Sequence, residues 1–155
     1  MSATRLWTLS NHHAAFRIGG WAHLRHTPEG LAGAAGGARS ITPERTVLAG
    51  LAAALKDLPP GPVVIHADSP VVLGPIRAVV LGEAAEPPES DLDLWAQIGA
   101  ALKDRAVSFV RVAVAPNTPQ AFAAAWAELA RDKAKTLGAF ASTIPKPNLG
   151  KVQGL

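Results

Sequence analysis

Residues 42–72 read TPERTVLAGLAAALKDLPPGPVVIHADSPVV, and this stretch decides the fold. Thr42 is a typical N-cap, and Pro43 suits the first position of a helix, where no backbone N–H is needed. The leucines that follow recur at helical spacing, and the PPGP sequence at 59–62 cannot continue a helix. The β-branched residues 63–65 predict a buried strand, and Asp68 follows where that strand ends.

Strands and helices alternate along the rest of the chain, which is typical of an α/β protein. We expect strands over residues 5–9 and 18–25 before this stretch, and over 107–114 after it. Helices are expected over residues 43–57, 91–103 and 118–136, with a further helix over 71–80 that is broken at Gly74-Pro75. Residues 1–141 are expected to form one domain, and residues 142–155 a flexible tail, since the tail has proline, glycine and no periodicity.

Short motifs follow one another along this pattern: GGWA at 19–22, TPERTVLAG at 42–50, HADS at 66–69, DLDLW at 91–95 and ELA at 128–130. In this order and spacing they resemble the type I ribonuclease H family, which cuts the RNA strand of RNA–DNA hybrids. The resemblance implies a ribonuclease H-like fold with a five-stranded mixed sheet flanked by helices. It also places a third strand over residues 31–40, at the edge of the sheet.

The resemblance fails at the catalytic residues. The family uses four carboxylates to hold two divalent metal ions, and only one of them, Asp68, is present here. The other three positions carry Leu9, Val47 and Ala127. Because such side chains are buried without needing a polar partner, apolar groups are expected to fill the former site. We therefore expect no cofactor; Mg²⁺ or Mn²⁺ would be needed only if activity is retained.

A rebuilt metal site is the alternative reading of this region. His66 and Asp68 are two residues apart on a predicted strand, so they are expected to share a face. Imidazole and carboxylate suit Zn²⁺ or Mn²⁺, and His12 and His13 lie in the nearby hairpin. The competing reading makes Asp68 a relic or a helix cap, and the two hairpin histidines solvated turn residues.

Five further residues are candidates for contacts with nucleic acid. Ser10, Asn11, Thr42 and Arg45 fall within the motifs and could bind phosphate or backbone, although turn and capping roles are the favoured reading of the first three. Trp21, on the second strand, could be exposed and stack on a base or on a protein partner.

Composition sets broad limits on function. The chain has 155 residues, no cysteine and a net charge of +3. These values predict one domain without disulfides or thiolate metal sites. The absence of an apolar signal segment predicts a cytoplasmic protein without a membrane span. The acidic middle and basic C-terminal third are compatible with nucleic acid, but solubility explains the balance equally well.

The sequence as a whole predicts a catalytically degenerate ribonuclease H-like protein that acts by binding. We expect a protein partner or self-association as a homodimer, with nucleic acid as a further candidate ligand. Self-association is favoured because the strand at 31–40 has almost no charge to block edge pairing. The alternatives are an active RNA–DNA hybrid endoribonuclease with a residual or rebuilt site, and a purely structural subunit.

Overall fold

A six-stranded mixed sheet forms the centre of the protein, which a computed structural model describes over residues 2–155. The strands are β1 Thr4–His13, β2 Ile18–Thr27, β3 Gly30–Ala38, β4 Val63–Ala67, β5 Val107–Arg111 and β6 Phe140–Thr143. Their order across the sheet is β5-β4-β1-β2-β3-β6. The first three strands pair antiparallel, and β4 pairs parallel with both β1 and β5. The expected mixed sheet and the adjacency of β1 and β4 are confirmed.

The sixth strand corrects the expected count of five. It pairs antiparallel with β3, from Ala34 beside Thr143 to Gly37 beside Phe140. The expected boundary at residue 141 therefore falls inside a strand, and the segment expected to be a tail also contains a short helix, α5 (Lys146–Leu149). Strand β6 takes the hydrogen bonds of the outer edge of β3 over residues 34–37, which removes the reason for expecting self-association through that edge.

The long helices lie within a residue or two of their expected bounds. They are α1 Pro43–Leu55, α3 Leu92–Leu102 and α4 Pro119–Leu137. The hydroxyl oxygens of Thr42 and Thr118 accept hydrogen bonds from backbone N–H groups three residues on, as N-caps do. The expected break at Gly74-Pro75 is instead a π-helical turn, Val72–Ile76, which continues directly into α2 (Arg77–Val80).

Two apolar clusters lie on opposite faces of the sheet. One joins α1 and α3 to the sheet and contains Leu6, Leu51 and Ile65. The other lies against α4 and contains Trp7 and Leu24. Both faces of the central strands are therefore covered. Within residues 2–155, no helix is long and apolar enough to cross a membrane.

Candidate functional site

The carboxyl ends of β1 and β4 lie side by side at one edge of the sheet. In the parallel pairing of the two strands, Leu6 lies beside Ile65 and Trp7 beside His66. Two residues beyond the second pair come Leu9 and Asp68, which the family resemblance places together in a metal site. Because α/β proteins commonly bind ligands beyond the carboxyl ends of their strands, a ligand site is expected at this edge.

Leu9 and Ala127 are sealed from solvent in one apolar cluster. Leu9 is 3% exposed and Ala127 is completely buried, and both lie between the sheet and α4. Val47 is also buried, but it belongs to the cluster on the α1 side. The three positions therefore do not form the single apolar filling that we expected, since the sheet separates Val47 from the other two.

Helix α4 packs unusually close to the sheet beside Ala127. A Cβ atom placed on Gly20 would collide with the carbonyl oxygen of Ala127 and the backbone nitrogen of Arg131. A Cβ on Gly37 would lie 3.1 Å from the carbonyl oxygen of Ala130. Only small residues allow this approach, and a carboxylate at position 127 would be buried in it without water.

Asp68 lies beyond the last residue of β4 and lines an open cavity of about 410 Å³. Phe109, Arg77 and Arg111 are among the other residues that line the cavity. Partial desolvation raises the pKa of the Asp68 carboxyl, and a backbone hydrogen bond opposes the change. Asp68 does not act as the expected helix cap, because the hydroxyl of its neighbour Ser69 accepts from the backbone N–H of Val71.

His66 points away from this cavity. Its ring stacks on Trp7, with centroids 4.7 Å apart and planes 13° apart, and its Nδ1 donates to the carbonyl oxygen of Leu6 at 2.9 Å. Burial lowers the pKa of His66, and the positive charge of Arg5 lowers it further, against the hydrogen bond to Leu6. The ring therefore belongs to the α4 side of the sheet.

The structure does not bring His66 and Asp68 together as metal ligands. The expected alternation fails because β4 ends at Ala67, and Asp68 instead shares its cavity with Phe109, which packs on the α1 side. Among the side chains of residues 2–155, no three His, Asp or Glu groups lie close enough to hold a metal ion. The residues at this edge do not fit a pair of divalent cations, which need several carboxylates to clamp them.

Known structures with this architecture identify the fold. The chain is similar to the N-terminal RNase H domain of a Mycobacterium tuberculosis protein, solved as a fusion with maltose-binding protein. The TM-score is 0.67 and the sequence identity 19%, and the match covers 86% of this chain and 96% of that one. It is also similar to LC11-RNase H1 in complex with an RNA/DNA hybrid, with a TM-score of 0.66, 17% identity, and coverage of 86% and 99%. The chain has a ribonuclease H-like fold.

A third similar structure is LC9-RNase H1, a type 1 RNase H with the type 2 active-site motif. Its TM-score is 0.63 and its identity 14%, with coverage of 97% of this chain and 81% of that one. No protein-family model matches the sequence, and no curated protein matches it. At these identities the likeness establishes the ribonuclease H-like fold and leaves activity to be argued from the residues.

Two of the five candidates for nucleic-acid contact are occupied within the ribonuclease H-like fold itself. Thr42 caps α1. Arg45 donates to Asp91 at 3.0 Å and to Asp93 at 2.8 Å, which ties α1 to the start of α3. These bonds raise the pKa of Arg45, and the hydrogen bonds from Arg45 lower the pKa of Asp93 to about 2.

The other three candidates lie on β1 and β2. Trp21 is 7% exposed, so the expectation of an exposed stacking surface is wrong. The side chain packs against α1 so closely that a Cβ added to Gly50 would lie only 2.8 Å from the Cβ of Trp21. Ser10 is half-buried opposite Trp21 in the β1–β2 ladder. Asn11 is held by a hydrogen bond, since its Oδ1 accepts from Nη1 of Arg131 at 2.8 Å.

Arg131 and Phe16 were not predicted as site residues; of the hairpin between β1 and β2, only residues 10–13 were candidates. Arg131 lies one helical turn beyond Ala127 and lines a small cavity with His13, Phe16 and Lys135. One sequence signal could have placed Arg131 near the end of β1: it lies four residues after Ala127, and residues four apart on a helix are neighbours. Nothing in the sequence indicated that residues 119–137 and residues 13–16 would meet, because that contact depends on how closely α4 lies on the sheet.

Proposed function

We propose that this protein binds nucleic acid through its ribonuclease H-like fold and does not hydrolyse it. One observation carries the proposal: Leu9 and Ala127, at two of the positions where the family has metal-binding carboxylates, are sealed in an apolar cluster. Val47 fills the third position with another buried aliphatic side chain. Asp68 alone retains an acid.

The chemistry of divalent cations supports the loss of hydrolysis. Mg²⁺ keeps most of its water and binds proteins through carboxylates that must lie in a defined geometry. Hydrolysis by two ions requires both to be clamped on either side of the reacting phosphate. A single exposed aspartate supplies one anionic ligand, and the apolar residues at the other positions supply none.

The choice of nucleic acid over self-association follows from the sixth strand and from a structural neighbour. Because β6 closes the outer edge of β3, the reason for expecting a homodimer through that edge no longer applies. LC11-RNase H1, whose fold this chain shares, was solved with an RNA/DNA hybrid. A net charge of +3 suits a polyanionic ligand, and binding of a protein partner is the competing class.

Two arginines of the N-terminal half are engaged within the protein and contribute little to a basic surface. Arg45 is engaged with two aspartates, and Arg25 donates to the carbonyl oxygen of Lys56 at 2.7 Å. The cations of α4, Lys133 and Lys135, are exposed and lie on the helix that carries Arg131. We therefore expect binding to depend on the α4 side of the molecule.

The test measures binding and cleavage in the same samples. A short fluorescent RNA–DNA hybrid is titrated with protein, and affinity is expected to fall about tenfold or more between about 50 mM and about 200 mM salt as counterions are released. The same hybrid, incubated with Mg²⁺ or Mn²⁺, is expected to stay intact. Duplex DNA and single-stranded RNA of matched sequence show which form is preferred.

Two results would contradict the proposal. Cleavage that disappears in the Asp68→Asn variant would show that a working metal site exists. Absence of salt-sensitive binding to any of the nucleic acids at low salt would remove nucleic acid as the ligand and leave a protein partner as the class to pursue.

A further inference from the structure

The tip of the β1–β2 hairpin presents an aromatic side chain to solvent. Phe16 is 61% exposed, although it lies next to the close-packed contact between the sheet and α4. The ring of His13 stacks on it with centroids 4.9 Å apart and planes 16° apart. The ammonium group of Lys135 lies 5.1 Å from the centre of the Phe16 ring. The ring is therefore ordered by its neighbours while much of its surface stays open.

Arg131 is fixed beside this aromatic ring. Its Nη1 donates to Oδ1 of Asn11 at 2.8 Å, and its Nη2 donates to Oδ1 of Asp132 at 3.0 Å. A further bond joins Nε to the same oxygen at 3.3 Å. Because a guanidinium carries five N–H donors, these three bonds orient the group and leave two donors free. Its side chain is a quarter exposed, so a ligand can reach those donors.

These groups surround a cavity of about 110 Å³. Its lining residues are His13, Phe16, Ile18, Arg131, Asp132 and Lys135. The cavity is too small for a whole nucleotide, but it is large enough for the oxygens of a phosphate group. Two cations against one carboxylate leave a net positive charge at its mouth, which matches the single negative charge of a phosphodiester.

We propose that His13, Phe16, Arg131 and Lys135 form a binding site for an unpaired nucleotide, whose base stacks on Phe16 and whose phosphate is held by Arg131 and Lys135. The inference rests on the proposed binding of nucleic acid and specifies where an unpaired end of it is held. An aromatic ring beside cations is the combination that binds single strands, since every base has a face that can stack.

Binding involves an exchange at the ring of Phe16. In the free protein the ammonium of Lys135 lies over this ring, where a cation is attracted by the aromatic face. A base can take that place, and the flexible lysine side chain is then free to turn toward the phosphate. Arg131 does not need to move, because Asn11 and Asp132 already hold it.

The experiment compares hybrids that differ only in their ends. A blunt RNA–DNA hybrid, the same hybrid with a short single-stranded overhang, and one with an abasic overhang of equal length are titrated with the protein. We expect the normal overhang to bind about tenfold more tightly than the abasic one, because stacking on an aromatic side chain favours each bound base. The abasic overhang carries the same phosphates and so controls for charge.

Two variants assign the effect to the site. Phe16→Leu removes the aromatic face from a solvent-exposed turn and is expected to abolish the preference for the normal overhang. Lys135→Gln leaves the ring of Phe16 open to the base, so it is expected to keep that preference and to reduce the steepness of the salt dependence by about one phosphate contact. Leu92→Ala, which removes an exposed apolar side chain at the start of α3, is the matched control and should change neither.

The outcomes separate this inference from the function on which it rests. Equal affinity for normal and abasic overhangs, or a preference that survives in Phe16→Leu, would overturn the hairpin site while leaving hybrid binding in place. Failure of all three hybrids to bind at low salt would overturn both.

Discussion

His23 is a histidine buried in the centre of the sheet. It lies in the middle of β2, 6% exposed, between Thr8 of β1 and Ala34 of β3. Its ring stacks on Trp21, with planes 6° apart, and its Nδ1 has no hydrogen-bond partner among residues 2–155. Burial lowers the pKa of His23 to about 4, and the positive charge of Arg25 on the same strand adds to the effect.

The lowered pKa makes stability depend on pH in a stated direction. As the pH falls below about 6.5, the unfolded chain binds a proton at this histidine, whereas the folded protein resists doing so until about pH 4. The contribution of neutral His23 to the free energy of unfolding is therefore fully present above pH 6.5 and is lost as the pH falls from 6.5 to 4. Since each factor of ten in proton affinity is worth about 1.4 kcal/mol, this group removes about 3 kcal/mol of stability over that interval.

The replacement of His23 by Phe isolates this effect. Phenylalanine keeps a flat ring against Trp21, cannot titrate, and removes the buried nitrogen that lacks a partner. We expect His23→Phe to be more stable than the parent by about 1 kcal/mol at pH 7, because an unsatisfied buried polar atom is removed. The gain should grow to about 4 kcal/mol near pH 4, because the parent loses about 3 kcal/mol through its imidazole over that interval and the variant does not.

Urea unfolding at a series of pH values, followed by tryptophan fluorescence, measures these free energies. His26→Gln controls for the loss of an imidazole from the same strand, at a position that is only half-buried. The reasoning is refuted if the pH dependence of His23→Phe parallels that of the parent between pH 6.5 and pH 4. A ¹H–¹⁵N NMR titration in which His23 of the folded protein takes up a proton near pH 6.5 would refute it independently.

Three further predictions test the packing and the surface pairs. Gly20→Ala is expected to lower the free energy of unfolding by about 2 kcal/mol or more, because the added Cβ meets the backbone of α4. Gly99→Ala, in open space on α3, should raise it by up to about 1 kcal/mol. Urea unfolding measures both. In an NMR titration Asp93 should give a pKa of about 2, returning to its usual range in Arg45→Gln. Arg105→Met should cost about 1 to 3 kcal/mol in thermal or urea unfolding, because its guanidinium donates to three carbonyls of the loop before β4.

Local chemistry made the helices predictable. Thr42-Pro43 and Thr118-Pro119 both place a hydroxyl at the N-cap and a proline at the first helical position, and both helices begin there in the structure. The buried strand at 63–67 was equally clear from its β-branched residues. In each case the signal lies within a few residues of the element that it specifies, so long-range packing is not needed to read it.

The position of Trp21 could not be deduced in the same way. Strand β2 is covered on both faces: Gly20 faces α4, whereas Gly19 and Trp21 face α1. A strand buried on both sides loses the alternation of apolar and polar residues that would reveal which way each side chain points. The sequence therefore left open whether an indole at position 21 would face solvent or a helix.

Strand β6 was missed because its signal is tertiary. Residues 140–143 are few and have no alternation, and they become a strand because Gly138, with φ of 75°, ends α4 and lets the chain turn back along β3. The glycines of β3 have a related explanation. They made that strand look weak, yet Gly37 is required where α4 approaches, since a Cβ there would press on the carbonyl of Ala130.

The close approach of α4 accounts both for the small residue at position 127 and for the place of Arg131. The contact that leaves no room beside Ala127 also brings the next turn of the helix to the end of β1, where Arg131 binds Asn11. Residues four apart on a helix are neighbours, so positions 127 and 131 lie on the same side of α4. The buried alanine at 127 and the cation at 131 are therefore consequences of one contact between α4 and the sheet, which leaves no room for a carboxylate at the first position and brings a guanidinium to the end of β1 at the second.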